Sequence, residues 1–63
     1  MTKLRLIREK SGMTQKALAE AAGISGPFLF DLEMGNRNAK PDTWERIAKA
    51  LGCKVDEIRE KEG

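Results

Sequence analysis

The chain has 63 residues, 35% charged and 40% hydrophobic, which suits one folded domain and leaves no room for a second core. Its net charge of +2 is uneven, with seven basic against four acidic groups in residues 1–40 and five against six thereafter, so the N-terminal part is the better candidate for facing an anion. A single cysteine and no histidine exclude an internal disulfide and the usual zinc ligand sets, and no apolar run approaches the ~20 residues of a membrane span.

Met1 leads into a charged amphipathic segment rather than a signal peptide. The spacing of Leu4 and Ile7 predicts a first helix near residues 2–10, stopped around Gly12. Thr14 is a good N-cap for a second helix, "TQKALAEAA". There Leu18 and Ala22 share a face, while Ala19 and Ala21 are small enough for close helix approach. Gly23 supplies the positive φ of a tight turn. Ser25 caps a third helix, whose first turn tolerates Pro27 because no N–H is needed there. Leu29 and Leu32 are its buried stripe, and Gly35 ends it. After the loop "GNRNAK", the segment "PDTWERIAKALG" is the clearest helix. Asp42 and Glu45 predict a D-x-x-E capping box, and Trp44, Ile47, Ala48 and Leu51 form an unbroken apolar face. Gly52 stops it. Val55 and Ile58 begin a short last helix that runs into the charged tail "REKEG". No strand pattern is present. The expectation is an all-α fold, a compact bundle of five short helices spanning 1–63 as one domain.

The segments "LRLIREKSGMTQKALAEAAGIS", "LEMGNR" and "KPDTWERIAKALGCKVDEI" together resemble the Cro/C1-type (Xre-like) helix-turn-helix repressors of phages and bacteria. The likeness covers roughly residues 4–58. It rests on several elements in order: R-x-x-x-G-x-T-Q-x-x-L-A, a Gly-apolar-Ser turn, L-E-x-G-x-R and P-D-x-x-x-x-I-A-x-A-L. The resemblance implies a lambda-repressor-like domain with its helix-turn-helix at about residues 14–33. Thr14–Ala22 would be the positioning helix and Ser25–Glu33 the recognition helix in the major groove. It further implies phosphate contacts from Gln15, Ser25, Asn36, Arg37 and Lys40, and a buried ion pair between Arg8 and Glu33. The partner would be double-stranded DNA, bound by a homodimer on a palindromic operator in a bacterial or phage cytoplasm. No cofactor, membrane or small-molecule substrate is implied.

Each assignment has a plainer rival. Gln15 could be a solvated first-turn residue, and Arg8 and Glu33 unrelated surface charges worth about 0–1 kcal/mol. Trp44 could stack on bases, but its place in a four-member apolar stripe makes it core. Cys53 stands where the family puts a small apolar residue, which favours a buried thiol over a reactive one. The C-terminal helices often pair in the family, making Val55, Ile58 and the tail candidates for a dimer surface.

The recognition helix departs from the family. The positions from which the family reads bases fall here on Gly26, Pro27 and Asp31. The first two have no side-chain hydrogen bond to offer, and Asp31 accepts from cytosine N4 but is repelled by phosphate. Phe28 and Phe30 lie off the Leu29/Leu32 stripe, so Phe28 should be partly packed and Phe30 exposed. Three accounts of the phenylalanines compete: apolar contact with thymine methyls, with Phe30 a base contact; a protein-binding surface; and packing at the core edge. The rival function is a protein-interaction module, antitoxin-like or a helix-turn-helix that has lost DNA binding. Catalysis is the weakest reading: there is no histidine, the one cysteine is expected in the core, and no paired carboxylates have an evident pocket partner.

Overall fold

The computed structural model describes residues 2–60. Five helices follow in order: α1 (Lys3–Lys10), α2 (Gln15–Ala22), α3 (Gly26–Met34), α4 (Pro41–Leu51) and α5 (Val55–Ile58). Among the described residues there is no strand.

Hydroxyl caps set where the first three helices begin. Thr2, Thr14 and Ser25 are all extended, and their side-chain oxygens accept from the N–H groups of Arg5, Ala17 and Phe28 at 3.3, 3.0 and 3.2 Å. Each bond satisfies one of the amides a helix start leaves orphaned. The helices therefore begin at the residue after each cap, and α3 runs one residue past the expected Glu33 to Met34. Between α2 and α3, Gly23 takes φ +71°. The Gly23 and Ile24 N–H groups donate back to the carbonyls of Glu20 and Ala19 at 3.2 and 3.0 Å, closing the chain through a left-handed residue that reverses it at once into the Ser25 cap.

The expected capping box of α4 does not form. Lys40 is the N-cap, it makes no side-chain cap bond, and Pro41 is the first helical residue. Proline's fixed φ starts the helix there, so Asp42 is already inside the first turn. Asp42 faces Arg46 one turn on, at 3.4 Å, and still favours the positive end of the helix dipole. At α5 the Glu57 carboxylate accepts from the Lys54 N–H at 2.7 Å, one half of a capping box.

All five helices contribute to the core, through Leu4, Leu18, Ala19, Ala22, Leu29, Leu32, Trp44, Ile47, Ala48 and Ile58. Trp44 is core, and its ring N–H points to Asn38 Oδ1 at 3.4 Å. Leu51, last of the α4 stripe, and Val55 are half-buried. Ile58 corrects an expectation: at 0% exposure it is used up inside the domain, because α5 packs on both α1 and α4. It is not available to a dimer surface. The expected tail contribution from residues 61–63 lies outside the described residues. Cys53 is half-buried rather than buried.

Candidate nucleic-acid interface

The structure brings Arg8, Gln15 and Glu33 together. Glu33 is 2% exposed. Arg8 Nε donates to its Oε2 at 2.6 Å and Arg8 Nη2 to its Oε1 at 3.1 Å, a two-pronged contact. Arg8 Nη1 donates to the Met13 carbonyl at 2.8 Å. Gln15 Nε2 donates to Glu33 Oε1 at 3.0 Å. The Thr2 hydroxyl, besides capping α1, donates to the Glu33 backbone carbonyl at 2.7 Å. The Glu33 carboxylate thus ties α1 and the first residue of α2 to the end of α3, and Arg8 also ties in the loop after α1. A planar guanidinium suits this because its donors are fixed in a fork that matches a carboxylate. Among the described residues no buried side-chain polar atom lacks a partner, which is what a buried charge requires to be tolerable.

Gln15 was expected at a phosphate. Its amide nitrogen has two hydrogens, and Glu33 takes one. The remaining hydrogen is oriented by that bond and available to an anion. Ser25 is exposed and accepts from the Phe28 N–H, while its own hydroxyl hydrogen stays free to rotate. Asn36, Arg37 and Lys40 are exposed in the loop between α3 and the start of α4.

Gly26 and Pro27 form the exposed first turn of α3. Phe30 is 47% exposed, and Phe28 is half-buried against the core edge, as the periodicity predicts. Asp31 was expected to face a base. It is half-buried, and Arg37 Nε lies 3.9 Å from its Oδ2. The Arg37 guanidinium also lies 5.6 Å above the centre of the Phe28 ring, within cation–π range. Arg37 therefore lies beside α3, over Phe28 and near Asp31, with most of its side chain exposed.

Several of these features escaped sequence reasoning. The Gln15–Glu33 bond joins residues 18 positions apart, and nothing local signals it. The contact of Arg37 with Phe28 depends on how the loop folds back after Gly35. Met34, 49% exposed, was legible in principle, since it follows Phe30 by four and Pro27 by seven on one helix face. Leu6 is 43% exposed on α1, and no contact explains it. Burial pushes the Cys53 thiol above its ordinary value, and the Glu57 carboxylate adds to the shift. No group of three or more potential metal ligands occurs among the described residues, and no described helix is long and apolar enough to cross a membrane.

The chain is similar to known proteins. A family profile described as helix-turn-helix matches residues 4–58. The control protein C.BamHI of Bacillus amyloliquefaciens is 39% identical over 57 residues, 89% of this chain and 70% of its own. The HTH-type transcriptional regulator DdrOP3 of Deinococcus deserti is 38% identical over 58 residues, 92% of this chain but 45% of its own. The chain thus spans about half the length of the first curated relatives it matches. The crystal structure of the restriction-modification controller protein C.AhdI from Aeromonas hydrophila is similar at a TM-score of 0.84 and 29% identity, over 87% of this chain and 83% of that one. With the α2–turn–α3 unit, its Arg8–Glu33 lock and these likenesses in hand, the chain belongs to the Cro/C1-type helix-turn-helix family.

Proposed function

We propose that this protein is a sequence-specific DNA-binding transcriptional regulator, a repressor that binds a palindromic operator as a homodimer in a bacterial or phage cytoplasm. The observation that carries the reading is α3 itself. Its inner side is pinned by Glu33 to Arg8 and Gln15, while Gly26, Pro27, Phe30 and Met34 on its outer side are exposed and Arg37 lies at its edge beside Asp31. A helix held this rigidly and offered this openly suits insertion into a major groove. The names of its relatives, a transcriptional regulator, a control protein and a restriction-modification controller protein, point the same way. Gln15, Ser25, Asn36, Arg37 and Lys40 meet phosphates and fix register. Gly26, Pro27, Phe30 and Asp31 lie at the base edges.

The second reading, a protein-interaction module, is favoured by the exposure of Phe30 and Met34 on one side of α3. One experiment separates the two: selection of bound sites from a random duplex pool at low salt, followed by titration of a selected and an unselected duplex. The regulator reading expects a shared sequence among retained duplexes and affinity that falls with salt through counterion release. No retention of any duplex at low salt overturns it in favour of a protein partner.

A further inference from the structure

The outer face of α3 is limited in what it can recognise. At about 100° per residue counted from Gly26, buried Leu29, Leu32 and Glu33 lie near 300°, 240° and 340°. Phe30, Met34, Pro27 and Asp31 lie near 40°, 80°, 100° and 140°, opposite the core. None of these four has a side-chain N–H or O–H, and neither does Gly26. Asp31 is an acceptor, and it has Arg37 Nε at 3.9 Å. In the major groove guanine shows two acceptors, adenine an acceptor and a donor, cytosine a donor, and thymine an acceptor beside a methyl group. Without side-chain donors, these residues of α3 make no side-chain hydrogen bond to guanine O6 or N7, to adenine N7 or to thymine O4. The one base feature that complements an apolar side chain is the thymine methyl.

Resting on the DNA-binding reading above, we propose that α3 reads its operator through thymine methyl groups contacted by Pro27 and Phe30. Pro27 and Phe30 are separated by about 4.5 Å along the helix axis, close to the ~3.4 Å step between stacked bases on a strand. They match the methyls of two adjacent thymines. Met34 is about 10 Å beyond Pro27, at the end of the helix remote from the groove-entering N-terminus, and takes no part. Arg37, over Phe28 and near Asp31, supplies a phosphate contact beside the apolar stripe. Attraction therefore comes from charge around α3, and discrimination comes from the apolar residues on it.

Deoxyuridine tests this directly, because it differs from thymidine only by the methyl. The selected duplex is resynthesised with uracil at each thymine in turn, and binding is measured for the wild type, Phe30→Ala and Met34→Ala. Uracil at one or two adjacent thymines per half-site is expected to weaken wild-type binding about four-fold per methyl, the value for burying one CH₂-sized group. Phe30→Ala is expected to bind more weakly and to lose the uracil response at one of those thymines, while Met34→Ala keeps it. Phe30 is 47% exposed, so its truncation leaves the fold intact. Selective binding that is indifferent to uracil at every thymine overturns methyl readout and leaves DNA binding standing. So does a Phe30→Ala variant with the full wild-type uracil response. Failure to bind any duplex overturns the DNA-binding reading, and methyl readout with it.

Discussion

Glu33 has two carboxylate oxygens and three side-chain N–H donors directed at them, two from Arg8 and one from Gln15. Such a cluster is worth little as a gain over apolar packing and a great deal as a loss when one member is removed. Arg8→Ala leaves a nearly fully buried carboxylate with only the Gln15 amide, so it is expected to lower unfolding free energy by about 3–5 kcal/mol. Lys10→Ala, on the exposed end of α1, should change it by less than about 0.5 kcal/mol. Urea titrations of the two variants decide the matter, and equal midpoints would mean that the pair does not hold the domain. Leu29 and Phe30 are neighbours in sequence and opposites in burial, at 0% and 47% exposed. Leu29→Ala should cost about 2–5 kcal/mol and Phe30→Ala under about 1 kcal/mol. A large loss for Phe30→Ala would make it core. Cys53 gives a prediction in pH. Burial and Glu57 raise its folded pKa above the ordinary 9.0, so the fold holds the thiol proton more tightly than the unfolded chain does. The stability this contributes is full below the ordinary value and is lost as pH rises through the raised one. Because the thiolate is the nucleophile, alkylation by iodoacetamide at pH 8 should be slower in the folded protein than in urea. Equal rates would show that the half-buried site does not shield the sulfur.

At the scale of elements, the turn between α2 and α3 is where one residue type is required. Gly23 combines φ +71° with the Arg46 guanidinium 3.4 Å from where a Cβ would stand. Gly26, three residues on, has helical backbone and open space around that position. Gly23→Ala is therefore expected to destabilise by about 1–2 kcal/mol, the cost of a left-handed alanine. Gly26→Ala should stabilise by about 0.4–1 kcal/mol, by restricting the unfolded chain without native strain. Thermal melts of both proteins check the contrast. A neutral Gly23→Ala would mean that the turn relaxes easily and does not fix the angle between the two helices. The hydroxyl caps act at the same scale. Thr14 and Ser25 start α2 and α3 on either side of the turn, so local chemistry sets which helical positions Gln15, Pro27 and Phe30 occupy.

For the whole molecule, size constrains how DNA is bound. The longest extent of the domain is 30 Å, short of the 34–36 Å, roughly one helical turn, that separates successive major-groove faces. One domain reaches one half-site, so the proposed dimer is needed to read two. Charge sets how salt acts on it. Of the side chains assigned to phosphates, only Arg37 and Lys40 are cationic, and each neutralised phosphate contributes about −0.9 to the slope of log K against log salt. The expected slope is roughly −2 per domain and −4 for a dimer. Titration of a selected duplex from low to moderate salt measures it. A slope near −10 would show that other cations do most of the holding and that these assignments are wrong.

Local chemistry accounts for what the sequence alone determined. Caps at Thr14 and Ser25, left-handed glycines at 23, 35 and 52, and the 3.6-residue recurrence of Leu, Ile and Trp act within a few residues of one another. The five helices, the all-α class and the buried stripes of α3 and α4 follow from them. The α4 start was misread because two local signals competed, and the fixed φ of Pro41 prevailed over the side chain of Asp42. The pairing of Arg8 with Glu33 was legible only through resemblance, since no local rule joins residues 25 apart. Tertiary structure alone decided the rest. It turned Gln15 onto Glu33, folded Arg37 back over Phe28 and beside Asp31, and buried Ile58 between α1 and α4. Each of these depends on where a distant backbone segment arrives once the core closes, and that is set by packing of the whole molecule rather than by any window of sequence.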